Sequence, residues 1–217
     1  MTGGYDSLIF DLDGTLWDAT PVVAKGWTAV LREAGEARLI SDSDIRAVTG
    51  KPSKECVKIL FPELSGEALE KRAQDLDQSE QKEFQKSGGR LYPDVEEGLR
   101  KLSARYKLYL VSNCQDWYLE SFFQHSRLQH LFLDSLCFGH NQQQKWDNIR
   151  QIQEKNQMQK SLYIGDTYSD QKACEKAGVD FYFASYGFAF YGAAKVENYV
   201  GSAKNFADLT QALMELS

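Results

Sequence analysis

Two short stretches bring paired carboxylates close together: Asp11-Leu12-Asp13-Gly14-Thr15, and Gly165-Asp166-Thr167-Tyr168-Ser169-Asp170. A hydroxyl and an amide, Ser112-Asn113, follow one apolar run, and Lys145 follows another. Each feature alone has a plain structural reading. Asp-Gly is a common turn dipeptide. Asp166 could cap a helix starting near Thr167, with Asp170 in its first turn facing the helix dipole. Ser112 could be another N-cap, and Lys145 a solvated surface lysine. Gathered at one edge, however, Asp11, Asp13, Asp166 and Asp170 would raise one another's pKa values and destabilise the fold unless a cation were present. A hard divalent ion that keeps several waters and a substrate phosphate removes that difficulty. Mg²⁺ suits this donor set better than zinc, which favours His and Cys. The three histidines form no HExxH pattern, and the four cysteines no CxxC pair.

The elements around these residues decide whether they can meet. Five short apolar runs read as strands: Leu8-Ile9-Phe10, Leu108-Tyr109-Leu110-Val111, Ser135-Leu136-Cys137-Phe138, Leu162-Tyr163-Ile164 and Phe181-Tyr182-Phe183. They are nearly continuous rather than alternating, as in parallel strands covered on both faces. Amphipathic stretches separate the last four, with faces at Val95, Leu99, Leu102, at Leu119, Phe122, Phe123, and at Ile149, Ile152, Met158. This alternation predicts an α/β fold with a doubly wound parallel sheet. In such a sheet ligands bind beyond the carboxyl ends of the strands, which is where all the residues named above fall. Lys145 is expected in a short loop there.

The stretch from about Thr20 to Arg90 differs. It reads as helices over Val22 to Ala34, Ile45 to Val48, Lys54 to Leu60 and Gly66 to about Phe84, with Ser41 and Ser65 as N-caps. Gly88-Gly89 and Tyr92-Pro93 then interrupt the chain before a helix starting at Pro93. So much helix far exceeds a βα loop. The expected organisation is a core of 1–18 and 91–217, with a helical cap domain, 19–90, inserted after the first strand. Phe181 to Tyr191 reads as the last strand and its turn, and Gln142-Gln143-Gln144 as an exposed loop.

At 217 residues the chain is long enough to bury its own core without a disulfide or structural metal. A formal net charge of −6 gives it no bulk attraction for nucleic acid or anionic lipid. The N-terminus lacks the pattern of a signal peptide, and no apolar run approaches the ~18 residues of a membrane span. The cytoplasm, with reduced thiols, is the expected location. No GxxxxGK[ST] phosphate loop is present, which disfavours a nucleotide switch.

Phe10-Asp11-Leu12-Asp13-Gly14-Thr15-Leu16, Val111-Ser112-Asn113, Lys145 and Gly165 to Asp170 resemble, in order and spacing, the four motifs of the haloacid dehalogenase-like hydrolases. The inserted helices resemble the cap of the phosphoglycolate phosphatase and β-phosphoglucomutase branch. The resemblance covers almost the whole chain and implies a Rossmannoid three-layer core. It implies that Asp11 is the nucleophile that forms an aspartyl-phosphate, and that Asp13 protonates the leaving oxygen and then activates water. Mg²⁺ would be held by the Asp11 carboxylate, the Asp13 main-chain carbonyl and Asp166, while Asp170 acts through water or orients Lys145. Ser112, neighbouring backbone N–H groups and Asn113 would bind the phosphoryl group, with Lys145 as the fixed positive charge. Gly14 would permit a tight turn, and Thr15 would stabilise it or steer Asp13.

Asp13 discriminates within this family. The true dehalogenases and the phosphonoacetaldehyde hydrolases lack an acid at that position, so its presence points to phosphoryl transfer and away from a Schiff-base role for Lys51 or Lys54. Thr49-Gly50-Lys51-Pro52-Ser53 resembles the loop by which such caps reach substrate. Lys51 could meet a second anionic group there, or the segment could be an ordinary interhelix turn. Trp17, Trp27 and Tyr168 read as packing residues at the domain junction rather than a substrate platform. The implied activity is Mg²⁺-dependent hydrolysis of a small phosphorylated metabolite of the phosphoglycolate kind. The alternatives are a phosphomutase of the β-phosphoglucomutase type and a binding protein that has lost turnover.

Overall fold

The computed structural model describes residues 4–191 and 194–216. In chain order the elements are β1 (Ser7–Phe10), β2 (Trp17–Asp18), α1 (Thr20–Glu33), α2 (Asp42–Val48), α3 (Ser53–Leu60), α4 (Gly66–Lys86), β3 (Arg90–Leu91), α5 (Val95–Ser103) and β4 (Lys107–Ser112). There follow α6 (Asp116–Ser126), β5 (Phe132–Cys137), α7 (Phe138–Asn141), α8 (Lys145–Lys155), β6 (Ser161–Gly165), α9 (Tyr168–Ala177), β7 (Asp180–Ala184), β8 (Gly201–Ala203) and α10 (Phe206–Glu215).

Six strands form a parallel sheet in the order β5-β4-β1-β6-β7-β8. Leu8, Phe10, Leu108, Leu110, Leu162 and Ile164 point to one face, where α5, α6 and α10 supply Leu99, Phe122 and Leu209. Ile9, Tyr109, Val111, Tyr163, Phe181 and Phe183 point to the other, against Ile149 and Ile152 of α8 and Ala173 of α9. Side chains thus alternate between faces that are both buried, and the strands read as continuous apolar runs. After β1 the chain builds one side of the sheet with β4 and β5, then returns to β1 and builds the other from β6. β1 is therefore the switch point, where a crevice opens beyond the strand ends.

Several expectations are corrected. The third run was expected to end at Phe138 and to be covered on both faces. β5 instead spans Phe132–Cys137, Phe138 opens α7, and Leu133 is exposed because β5 is an edge strand. The run ending at Phe183 is not the last strand, since β8 pairs beyond it. The helix expected from Pro93 begins at Val95, behind Asp94 at φ 65°. Lys145 is not in a loop but is the first residue of α8. Gln142, Gln143 and Gln144 are exposed between α7 and α8.

α1 to α4 lie between β2 and β3, which pair antiparallel through Trp17↔Leu91 and Asp18↔Arg90. The chain therefore leaves for the helices and returns from them side by side. Trp27 and Leu31 of α1, Val57 of α3 and Leu76 of α4 are buried, together with Phe61 at the end of α3. Ser41 caps α2 in a reciprocal capping box with Asp44. Ser65 precedes α4 without a side-chain capping bond. Among the described residues no helix is long and apolar enough to cross a membrane. All four cysteines are free thiols.

Candidate active site

β1 places Asp11 directly beyond its carboxyl end, and the Asp11 N–H donates to the Ile164 carbonyl at 2.8 Å, which fixes the turn against β6. The Asp11 carboxylate is buried. Lys145, on the first turn of α8, sends its ammonium to within 2.9 Å of Asp11 Oδ1 and 2.6 Å of Asp170 Oδ1. Lys145 is 3% exposed, so it is no solvated surface lysine. Burial works against its charge, but Asp11 and Asp170 outweigh burial and hold its pKa above the ordinary lysine value.

Asp11, Asp166 and Asp170 each bring an oxygen within 4.8 Å of the others. Burial, then the Asp170 charge, push the Asp11 carboxyl up to about 7, against the pull of Lys145 and the Leu12 N–H. Burial, Asp170 and Asp11 push Asp166 well above the usual carboxylate range. Burial opposes ionisation of Asp170 too, but Lys145 and Thr167 prevail and hold its pKa below the ordinary value. Three buried carboxyl groups thus share one ammonium, which lies against Asp11 and Asp170 and not against Asp166. The donors are all carboxylate oxygens, which suits a hard cation such as Mg²⁺. Both Asp170 oxygens are already engaged: Oδ1 by Lys145, and Oδ2 by the Thr167 hydroxyl at 2.7 Å and the Thr167 N–H at 2.9 Å. Asp166 also accepts hydrogen bonds at both oxygens, from the Phe188 N–H and the Thr15 hydroxyl, but unlike Asp170 it has no ammonium against it.

The helix cap in this region is Thr167, in a capping box with Asp170, and not Asp166. Asp166 turns instead toward the first motif and the segment after β7. Its Oδ2 accepts the Phe188 N–H at 2.6 Å, and its Oδ1 the Thr15 hydroxyl at 3.3 Å. The Thr15 side chain therefore bonds Asp166 and not Asp13, which was one of the two roles expected of it beside stabilising the turn. Gly14 has φ 78°, and a Cβ there would lie 2.0 Å from Asp166 Oδ2. Both the backbone conformation and the close approach call for glycine.

Asp13 is half-buried. Its Oδ1 accepts the Trp17 indole N–H at 3.0 Å and the Tyr118 hydroxyl at 2.5 Å. Burial pushes its carboxyl up to about 6, opposed by those two hydrogen bonds. Tyr118 was not singled out from sequence, because nothing in the spacing links α6 to the first motif. Trp17 is buried against Phe84, Tyr118 and Phe122, so it is a packing residue that also orients Asp13.

Ser112 is buried at the end of β4 and caps no helix, since α6 starts only at Asp116 behind Gln115. Asn113 donates through Nδ2 to the Gly50 carbonyl at 2.9 Å, which ties the sheet edge to the turn between α2 and α3. One cavity is lined by Asp11, Asp13, Ser112 and Asn113 from the sheet edge and by Lys51 and Trp27 from the inserted helices. Lys54 lies outside it, exposed and paired with Glu70. Tyr168 is also outside it and 39% exposed, whereas Trp27 forms part of the wall.

The fold and these strand-end residues define a doubly wound α/β protein whose polar side chains gather at the switch point of its sheet. The sequence profile of haloacid dehalogenase-like hydrolases matches residues 8–184, and the chain belongs to that family. A phosphoglycolate phosphatase of Psychrobacter arcticus is 29% identical over 96% of this chain and 95% of its own length. One from Nitrosospira multiformis is 29% identical over 84% of each chain. A haloacid dehalogenase-like family hydrolase from Streptococcus pneumoniae superposes with a TM-score of 0.82 at 20% identity, covering 96% of this chain and 98% of its own.

Proposed function

We propose that this chain is a Mg²⁺-dependent phosphatase that hydrolyses a small phosphorylated metabolite through an aspartyl-phosphate on Asp11. The observation that carries the reading is the contrast between Asp11 and Asp13. Two carboxyl groups two positions apart have opposite settings: Asp11 lies against the Lys145 ammonium, Asp13 against neutral donors from Tyr118 and Trp17. Burial lifts both carboxyl groups, and Lys145 favours the ionised form of Asp11 while Asp13 has no ammonium against it, which suits a nucleophile beside a proton donor. The phosphoglycolate phosphatase relatives support a short phosphorylated substrate.

In this mechanism Lys145 and Ser112 hold the phosphoryl oxygens while an Asp11 oxygen attacks phosphorus in line with the ester oxygen. Asp13 gives its proton to that oxygen, and the alcohol departs. Asp13, now a carboxylate, takes a proton from water, which attacks the aspartyl-phosphate and releases inorganic phosphate and the Asp11 carboxylate. The Asp11 carboxylate, the Asp13 main-chain carbonyl and Asp166 would hold Mg²⁺, which when bound offsets the repulsion between nucleophile and phosphate. Asp170 keeps Lys145 in place. Residues 19–90 act as a cap over the core of 1–18 and 91–217 and exclude bulk water, with the Asn113–Gly50 contact as one closure point.

The test is hydrolysis of p-nitrophenyl phosphate with Mg²⁺ or with EDTA, beside the Asp11→Asn variant. Mg²⁺-dependent release that the variant lacks is the expected result. Full activity in Asp11→Asn would sink the covalent route.

A further inference from the structure

Arg46 lies in the last turn of α2, outside the four motifs, and does not line the cavity of the candidate site. It is half-buried against groups from two other parts of the chain. Its Nη2 lies 2.6 Å from Asp18 Oδ2, and Asp18 ends β2, where the chain leaves for the inserted helices. The other Asp18 oxygen accepts the Thr20 N–H at 2.9 Å and the Thr20 hydroxyl at 2.6 Å, which fixes the carboxylate that holds the guanidinium. The guanidinium also lies over two rings of the segment after β7, 5.9 Å from the centroid of Phe188 and 5.5 Å from that of Tyr191. Its Nη1 donates to the Tyr191 hydroxyl at 3.5 Å. The attraction of a cation for an aromatic face corresponds to about two- to thirty-fold in an equilibrium constant.

Phe188 is buried, and its N–H is the donor to Asp166 Oδ2. The segment before it is pressed against the same group: a Cβ at Gly187 would lie 2.4 Å from Asp166 Oδ2 and 2.3 Å from the Gly14 carbonyl oxygen. Tyr186 donates its hydroxyl to the Thr15 carbonyl at 2.7 Å. A displacement of this segment therefore reaches Asp166 directly, and a ligating carboxylate is oriented by the hydrogen bonds it accepts. We propose, resting on the phosphatase reading above and its assignment of Asp166 to the metal, that Arg46 is a positioning residue for the metal site. From the inserted helices it pairs with Asp18, stacks on Phe188 and Tyr191, and so keeps the Phe188 N–H against Asp166. Mg²⁺ affinity then depends on the docking of helices that supply no ligand. Linkage makes the dependence reciprocal, so that α2 is held more firmly when the site is filled.

The test measures the Mg²⁺ dissociation constant of the full-length protein by calorimetry, without substrate. Wild type is compared with Arg46→Met, Phe188→Leu and the double variant, with thermal melts to establish folding. Arg46→Met keeps much of the side chain's bulk and removes the guanidinium, while Phe188→Leu keeps the N–H and removes the ring. Arg46→Lys, which keeps a charge for Asp18 but loses the planar group, replaces Arg46→Met if that variant does not fold. The expected result is a Kd raised about three- to thirty-fold in each single variant and no further in the double, because both cut the same link. Amide exchange in α2 should slow on adding Mg²⁺ to the wild type, and less so in Arg46→Met. On p-nitrophenyl phosphate the Arg46 variant should regain most of its kcat at saturating Mg²⁺, with KM for the ester little changed. A folded Arg46 variant that binds Mg²⁺ as tightly as the wild type overturns this inference alone, as do losses that simply add in the double variant. A wild type that neither binds Mg²⁺ nor hydrolyses p-nitrophenyl phosphate removes the phosphatase reading, and this inference with it.

Discussion

The Tyr118 hydroxyl donates to Asp13 Oδ1 at 2.5 Å across 105 positions of sequence. That contact joins α6, which packs on the sheet, to the turn that follows β1. It makes the position of the proposed acid depend on a helix outside all four motifs. Tyr118→Phe keeps the ring among Trp17, Phe84 and Trp117 and removes the donor. A hydrogen bond to a charged group contributes about 1.5–3 kcal/mol, so turnover of an alkyl phosphate should fall about ten- to a hundred-fold. Comparing kcat for alkyl and p-nitrophenyl esters checks this, because a loss equal on both would place Tyr118 outside proton transfer.

Asp13→Asn tests the same step more directly. General acid–base catalysis typically contributes about 10²- to 10⁴-fold, and the need for it shrinks as the leaving group becomes less basic. The variant should lose most of its activity on an alkyl phosphate and retain more on p-nitrophenyl phosphate. Burst kinetics on the aryl ester should show phosphoryl-enzyme forming while its breakdown is slow, because the same carboxylate activates water. An Asp13→Asn enzyme equally impaired on both esters would contradict the assignment.

Much of the fold was legible because the central strands are buried on both faces. Leu8-Ile9-Phe10 and Leu162-Tyr163-Ile164 leave no exposed position to break the apolar run. β8 was not legible, because Gly201-Ser202-Ala203 carries neither bulk nor periodicity and pairs only through its backbone to β7. β2 and β3 are two residues each, too short for any pattern. At the site, strand ends predicted which residues would share an edge, and the structure brings Asp11, Asp166, Asp170 and Lys145 together there. What spacing could not supply was the partner of each group. Thr15 bonds Asp166 rather than steering Asp13, and Phe188, from the segment after β7, closes on Asp166. Those contacts depend on how separate strands lie in space, which no local pattern encodes.

Gly14 is a sensitive point in this geometry. In Gly14→Ala the new Cβ would fall 2.0 Å from Asp166 Oδ2 at a backbone φ of 78°. Either Asp166 moves or the turn opens, and both disturb an oxygen assigned to the metal. The variant should remain folded with a lowered Tm and need more Mg²⁺ for half-maximal activity. A melt together with a Mg²⁺ titration separates the two effects. An unchanged Mg²⁺ requirement would argue against Asp166 as a ligand.

Lys145 is the positive charge among three buried carboxyl groups. Removing one partner of a buried ion pair costs about 3–5 kcal/mol, because the other charge stays buried and unpaired. Lys145→Ala should therefore lower stability by an amount of that order, in addition to abolishing turnover. Mg²⁺ should restore part of the loss, since a cation that binds the folded state stabilises it by mass action. Urea unfolding with Mg²⁺ and with EDTA measures this. The variant should gain at least as much from Mg²⁺ as the wild type does, and no gain in either protein would contradict a metal site here.

Glu80 gives the inserted helices a pH dependence of opposite sense to an ordinary surface carboxylate. Burial pushes its carboxyl from 4.5 up to about 8, against the Trp27 hydrogen bond, with Asp77 and Asp13 adding to the rise. The folded state then binds more protons than the unfolded state between those values, so the Glu80 contribution is fully present below 4.5 and is lost as pH rises through about 8. Glu80→Gln removes this titration while leaving an acceptor for Trp27. Between pH 6 and pH 9 the wild type should lose stability relative to the variant by at least about 1 kcal/mol, since one pKa unit corresponds to about 1.4 kcal/mol. Urea titrations at the two pH values measure the difference. Parallel stability profiles would mean that the Glu80 carboxyl reaches solvent in the folded protein.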